Sequence, residues 1–279
     1  MKYFDAHTHL NFVAYKDDRE ETIMRSKDAG VGMNIVGTQY DTSKHAVELA
    51  EKYDHVYATI GLHPIHTGKS YHDDKELGEG GKPFTSRGEE FDVAKYEELG
   101  TSPRVIAVGE CGLDYYRLTE DTKKTQTDAF IQQIELANRL HKPLMLHIRP
   151  ALRSLGGLGE AYDDALEILK AHAKVKGDTH FFAGDWAVAK KFLDFGFTLS
   201  FTGVVTFTND YDEVVRNAPL DMLLSETDAP YVTPVPYRGK RNEPAYVPEI
   251  VKAIARIRGE DFEVVSEQLM TNARRVFGI

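Results

Sequence analysis

A chain of 279 residues with a single cysteine, Cys111, is the right length for one α/β barrel, needs no disulfide staple and can form no internal one. Its formal net charge of −10 argues against sequence-independent wrapping of duplex DNA, but leaves open a nucleic-acid substrate met at a small pocket, since bound cations reverse the local sign. The polar start Met1-Lys2-Tyr3 lacks a signal-peptide pattern and no apolar run approaches the roughly 18 residues of a membrane span, so the expectation is a cytoplasmic protein with no membrane association.

In chain order, the first expected strand covers 3–8 and ends on His7-Thr8-His9, preceded by Asp5. Strand side chains alternate, so the two imidazoles share a face. Further strands are expected at 33–37 and 56–61, the latter running into Gly61-Leu62-His63-Pro64. The stretch from about 67 to 92 is rich in Gly, Lys and acidic residues without a clean period, and reads as a surface insertion or a lid. Within it His72, Asp73 and Asp74 are taken as surface residues, because such a loop is a poor metal scaffold.

The next strand, 105–109, is Val105-Ile106-Ala107-Val108, the continuous apolar run of a strand buried on both faces, and Glu110 follows it. An ionised carboxylate there is costly to bury unless paired with a cation such as Arg or bound to metal. Phe130, Ile134, Ala137 and Leu140 then recur at helical spacing. Strand 143–147 ends on His147, with Arg149 two residues on, and strand 178–182 carries His180. Strands at 197–201 and 221–226 follow, the last leading into Ser225-Glu226-Thr227-Asp228-Ala229-Pro230. Val247, Ile250, Val251, Ile254 and Ile257 mark another helix, with Pro248 in its first turn. Val265, Leu269, Ala273 and Val276 mark a further one from about Glu263 to Phe277.

Eight strand–helix repeats, with no linker and no internal sequence repeat, predict a single (β/α)8 TIM barrel over 1–279 with an additional C-terminal helix. A doubly wound open sheet is the runner-up, and it would separate the motifs. Each histidine taken singly reads equally as a satisfied core residue. Together they put His or carboxylate at the C-terminal ends of strands 1, 4, 5, 6 and 8, which a barrel gathers into one ring at its active face. Core histidines have no reason to follow that rule. Mixed His and carboxylate ligation suits transition metals, whereas Mg prefers oxygen.

At this point the chain resembles the TatD family of metal-dependent hydrolases, within the amidohydrolase superfamily. The resemblance runs nearly end to end. It rests on Asp5-Ala6-His7-Thr8-His9-Leu10, Gly61-Leu62-His63-Pro64, Gly109-Glu110-Cys111-Gly112-Leu113-Asp114-Tyr115-Tyr116-Arg117, Leu146-His147-Ile148-Arg149, Ser225-Glu226-Thr227-Asp228-Ala229-Pro230-Tyr231 and Arg238-Gly239-Lys240-Arg241-Asn242-Glu243-Pro244. The run His180-Phe181-Phe182-Ala183-Gly184 departs from the pattern usual there, a small polar or Cys residue, an aromatic, then Ser or Thr before Gly.

The resemblance implies two divalent ions per chain, of Mg, Mn or Zn. One is held by His7, His9, Glu110 and Asp228, and the other by Glu110, His147 and His180, with Glu110 bridging. It implies a deoxyribonuclease cleaving phosphodiester bonds from the 3′ end, with DNA ends or another nucleic acid as substrate and no obligate protein partner. Asp228 is then placed to accept a proton from an attacking water, with Glu226 either its partner or a structural residue. His63 is a candidate phosphate donor or general acid, or else a rim histidine fixing its loop. Arg149 either grips a phosphate or pairs with a carboxylate, and Arg238, Lys240 and Arg241 form a basic run beside the last strand, where barrel enzymes often bind phosphate. Tyr115, Tyr116 and Tyr231 are candidates to stack a terminal base, with plain core packing the alternative. Cys111 reads as a small core residue. The competing functions are a C–N or ester hydrolase such as a D-aminoacyl-tRNA deacylase, and a non-catalytic scaffold; an intact ligand ring speaks against the scaffold.

Overall fold

The computed structural model describes residues 1–69, 71–72, 84–116, 120–151 and 160–279, and only the backbone of residues 72, 84 and 120. Eight parallel strands lie side by side in chain order: β1 (Tyr3–Thr8), β2 (Val31–Val36), β3 (Val56–Ile60), β4 (Val105–Asp114), β5 (Leu144–Arg149), β6 (Gly177–Thr179), β7 (Thr198–Phe201) and β8 (Leu223–Ser225). The intervening helices are α1 (Arg19–Asp28), α2 (Tyr40–Lys52), α3 (Val93–Gly100), α4 (Glu120–Leu140), α5 (Glu160–His172), α6 (Trp186–Phe195) and α7 (Asp212–Asn217), followed by α8 (Val247–Arg258) and α9 (Phe262–Phe277). This is the expected (β/α)8 barrel with its extra C-terminal helix.

The helical periodicities land where expected. Phe130, Ile134 and Ala137 are buried on α4, and Ile250, Val251 and Ile254 on α8. On α9, Val265, Leu269 and Ala273 are buried. That helix has a specific place. Phe4, Ile106, Met145 and Leu224, each the second residue of its strand, form one apolar cluster with Met270, Ala273 and Phe277 of α9. The N-terminal ends of the strands are thus filled with hydrocarbon, and polar groups collect at the other end.

Strand β4 runs five residues past the expected stop at Gly109, and all ten of its residues are buried. Two glycines make this extension feasible. Gly109 has φ +152° and Gly112 φ +141°, and a Cβ on them would lie 2.3 Å from the Met145 carbonyl oxygen and 2.1 Å from that of His147. Backbone-to-backbone approach this close needs the missing side chain. Gly112→Ala is therefore expected to push β5 away and cost about 3 kcal/mol, at the upper end for one strained residue. Denaturant titration checks this, and a loss within about 0.5 kcal/mol, the scatter of a neutral surface change, would refute it.

The seam between β8 and β1 is closed differently from the others. Among the described residues one bridge, Thr8 with Ala229, joins the two edges beyond the named strands. Around it, Asp228 N–H donates to the His7 carbonyl at 2.9 Å and His9 N–H to the Ala229 carbonyl at 2.7 Å. The buried Asp5 carboxylate accepts from Thr227 N–H at 2.8 Å and Thr227 Oγ1 at 2.5 Å. Asn242 donates to the Thr227 carbonyl at 2.9 Å and the Tyr231 carbonyl at 2.6 Å.

Of the stretch from 67 to 92, the return leg is docked. Glu89 N–H donates to the His66 carbonyl at 2.8 Å, and the Glu89 carboxylate accepts from Tyr40 N–H and from Tyr96 Oη. An acidic group at the first turn of α2 also suits the helix dipole. Tyr71–His72 pairs antiparallel with Phe84–Thr85. Asp73 and Asp74, and the side chain of His72, lie outside the described residues.

Candidate metal centre

Every strand end flagged by its histidine or carboxylate contributes to one cavity. It has a volume of about 350 Å³ and is lined by His9, His63, Glu110, Asp114, His147, His180 and Asp228 among others. His7 and His9 lie at and just past the end of β1, Glu110 and Asp114 within β4, His147 within β5, and His180 just past β6. Asp228 lies in the turn after β8 with φ +51°, a conformation Asp tolerates better than most residues.

Glu110 is the hub, and its two oxygens face different neighbours. Oε2 lies 3.4 Å from His7 Nε2 and 3.7 Å from His9 Nε2. Oε1 lies 2.9 Å from His147 Nδ1, 2.9 Å from His180 Nε2 and 3.2 Å from His63 Nε2. Asp228 Oδ1 completes the first group, 3.5 Å from His9 Nε2 and 3.8 Å from His7 Nε2. Burial opposes ionisation of Glu110, but the imidazoles of His63, His180 and His7 and the His147 hydrogen bond outweigh it, holding its carboxyl well below the usual carboxylate range.

The donor set fits divalent ions on two counts. His7 Nε2 and His9 Nε2 face each other at 3.1 Å, close to the spacing of two nitrogens that each sit about 2.0–2.1 Å from one ion. Three rings also have an acceptor facing their outer nitrogen, within a hydrogen bond for His9 and His147. His9 Nδ1 meets the Val36 carbonyl at 3.0 Å, His147 Nε2 meets Asp114 Oδ2 at 3.0 Å, and His180 Nδ1 lies 3.3 Å from Glu226 Oε1. Metal-ligating histidines are held in this way, because the outer acceptor fixes the tautomer that leaves the inner lone pair free. The Nδ1 atoms of His7 and His180 are both buried without a hydrogen-bond partner among the described residues, and His180 Nδ1 differs in having the Glu226 carboxylate facing it at ion-pair distance.

His63 is distinguished from the other rings by its Nδ1, which accepts from Ile65 N–H at 3.1 Å. A neutral His63 therefore carries its proton on Nε2, and that N–H points into the centre as a donor. Burial and the neighbouring His147 push its pKa down to about 4, so the ring is neutral at pH 7.

Of these partners Glu226 is singled out by the sequence with its role left open, whereas the roles of Asp114 and of two helix glutamines leave no recognisable mark there. Asp114, held down to about 2 by the His147 hydrogen bond against its burial, orients His147. Glu226 faces His180 Nδ1 and accepts from Phe181 N–H and Ser200 Oγ, which matches the structural alternative for it. Two glutamines on α4 act as clamps. Gln133 accepts from Leu62 N–H at 2.8 Å and donates to the Leu62 carbonyl at 2.9 Å, beside His63. Gln126 does the same to the backbone of Asp114, at 2.8 and 2.9 Å. Seven residues apart, they lie two turns along one face of the helix. Their only sequence signal is glutamine beside the apolar positions Phe130 and Ile134, which also describes a solvated flank. Gln133→Leu is expected to lower kcat about tenfold through His63, the lower end for such outer partners. KM should stay within twofold and Gln133→Glu should recover part of the loss; equal falls in soluble yield and activity, without a kcat effect per folded molecule, would reduce Gln133 to a structural role.

The expected substrate contacts divide. Arg149 lines the cavity and lies over the Tyr116 ring at 4.1 Å, and Tyr231 lines it too. Tyr115 does not reach it: its ring is 1% exposed and its hydroxyl donates to Asp164 at 2.7 Å, so the packing alternative applies. Arg241 is also turned away, forming a two-pronged pair with Asp18 at 2.8 and 2.6 Å and stacking on Tyr15. Arg238 sits outside the cavity wall, over the Phe207 ring and donating to the Thr233 carbonyl. The segment after β8 thus anchors itself to Asp18 through Arg241 and holds the seam through Asn242. Cys111 is fully buried. No helix among the described residues is long and apolar enough to cross a membrane.

Comparison with known proteins gives a consistent result. A family model described as TatD related DNase matches residues 4–278. The chain is 37% identical over 281 residues to the uncharacterized metal-dependent hydrolase YabD of Bacillus subtilis (strain 168), covering 99% of both. It is 33% identical over 286 residues to the 3′-5′ ssDNA/RNA exonuclease TatD of Klebsiella pneumoniae (strain 342), covering 99% of this chain and 98% of that protein. Among solved structures, the TatD homologue YjjV of Escherichia coli K12 superposes with a TM-score of 0.81 at 26% identity, over 100% of this chain and 98% of that one.

Proposed function

The chain belongs to the TatD family of metal-dependent hydrolases, and from that premise we propose that it is a 3′–5′ deoxyribonuclease acting on DNA ends with two divalent ions, Mg, Mn or Zn. The observation that carries this reading is the division of labour at Glu110, where each carboxylate oxygen heads its own group of imidazole nitrogens. His7, His9, Glu110 and Asp228 would hold one ion, and Glu110, His147 and His180 the other. Such a pair, when bound, lowers the pKa of a water and offsets charge on phosphoryl oxygens. Asp228, at the cavity wall, is the group placed to take the proton of the attacking water. His63 Nε2–H donates to a phosphoryl oxygen or to the leaving group, and Arg149 offers its planar fork to the same phosphate. The name of the Klebsiella relative supports a nucleic-acid substrate.

The test is a panel of metals against substrates. With Mg or Mn, purified protein is expected to shorten 5′-labelled single-stranded DNA stepwise from its 3′ end. Release of D-amino acid from charged tRNA with DNA left intact would replace the nuclease reading by the deacylase one.

A further inference from the structure

The proposed chemistry makes no use of Phe181. It follows His180 at the end of β6 and has φ +44°, a left-handed conformation that is strained for a bulky side chain. Its backbone is held there, with Phe181 N–H donating to Glu226 Oε1 at 2.6 Å. Glycine or asparagine would make the same turn with less strain, so the aromatic ring needs a reason of its own. Its position supplies one. The half-buried ring lines the cavity and stands nearly perpendicular to His180, at 78° and 6.3 Å between centroids. In the same cavity Phe12 stacks on His9 at 4.4 Å, and Tyr231 and Val232 add further apolar surface. The cavity therefore has a floor of imidazoles and carboxylates and a wall that is aromatic. A phosphodiester alone would use only the floor.

We propose that Phe181 is a specificity-determining residue that stacks the terminal base of a single strand while its phosphodiester lies on the floor of the cavity. The inference rests on the phosphodiesterase reading above. A volume of about 350 Å³ suits one terminal unit, not a duplex. Stacking on an aromatic face tolerates every base, so it distinguishes an end that carries a base from one that does not.

The experiment compares kcat/KM of the metal-loaded enzyme on two single strands that differ only at the 3′-terminal unit, a nucleotide or an abasic sugar. Wild type is expected to prefer the base-bearing end about tenfold. Phe181→Asn, which suits the left-handed turn, should abolish the preference through a higher KM and leave the abasic rate within twofold. Phe181→Trp should keep the preference. Equal losses on both strands in Phe181→Asn, or a preference that survives it, would overturn the inference, while turnover of bis(p-nitrophenyl) phosphate by wild type keeps the underlying reading intact. If wild type turns over neither strand nor that diester, the underlying reading falls and this inference with it.

Discussion

Replacing Glu110 by glutamine is expected to lower kcat/KM by more than about 10³-fold, beyond the 10–100-fold typical of partners that merely orient a ligand. The side chain keeps its shape and loses its charge. Both oxygens of the carboxylate are engaged, one by His7 and His9 and the other by His63, His147 and His180. An amide presents one oxygen and one N–H₂, so one of the two nitrogen groups would face a donor in place of an acceptor. It also brings no negative charge to offset the two divalent cations proposed for this buried site. Elemental analysis should therefore show the metal content falling below one ion per chain, and far-ultraviolet circular dichroism should stay unchanged. Undiminished activity in the variant would place catalysis at another site, and full metal content with full loss of activity would move Glu110 from ligation to chemistry.

Removing metal is expected to lower the thermal midpoint by roughly 10 °C. An ion at 1,000 times its dissociation constant stabilises the folded state by about 4 kcal/mol, and each kcal/mol moves the midpoint of a chain this size by roughly 2–4 °C. The seam explains why the effect should be visible. Among the described residues β1 and the turn after β8 meet through the bridge Thr8–Ala229 and a few hydrogen bonds around it, and His7, His9 and Asp228 stand on the two sides of that bridge. An ion bound between those side chains, as proposed, would tie together edges that share no regular ladder among the described residues. Differential scanning calorimetry with chelator, then with Mn or Zn restored, reads the shift, and Glu110→Gln should show less than about 2 °C of it. A midpoint insensitive to metal in the wild type would mean that the site does not bind ions in the folded protein.

The position of each residue of the candidate centre was legible along the chain because two local rules coincide. Alternation along β1 puts His7 and His9 on one face, and a parallel barrel brings the C-terminal ends of its strands together. Glu110 was legible for an energetic reason, since a carboxylate after four apolar strand residues demands a compensating charge. The end of β4 was not legible. A glycine usually reads as a strand stop, whereas Gly109 and Gly112 here allow β4 and β5 to approach backbone to backbone. The same limit applied to the side-chain roles of Tyr115 and Arg241, which share motifs with Glu110 and Asn242 but point elsewhere.

The sequence by itself determined the barrel and the ring of histidines and carboxylates at its mouth, because both follow from periods of two and of 3.6 residues and from short apolar runs. What turns each ring and what closes the seam emerged from the folded barrel alone. Asp114 reaches His147 across 33 positions, Glu226 reaches His180 across 46, and Gln133 clamps Leu62 across 71. Asn242 grips the turn that carries Asp228 from beyond the last strand. None of these pairings has a period or a spacing, since each depends on which strand ends and helix faces the closed barrel sets side by side.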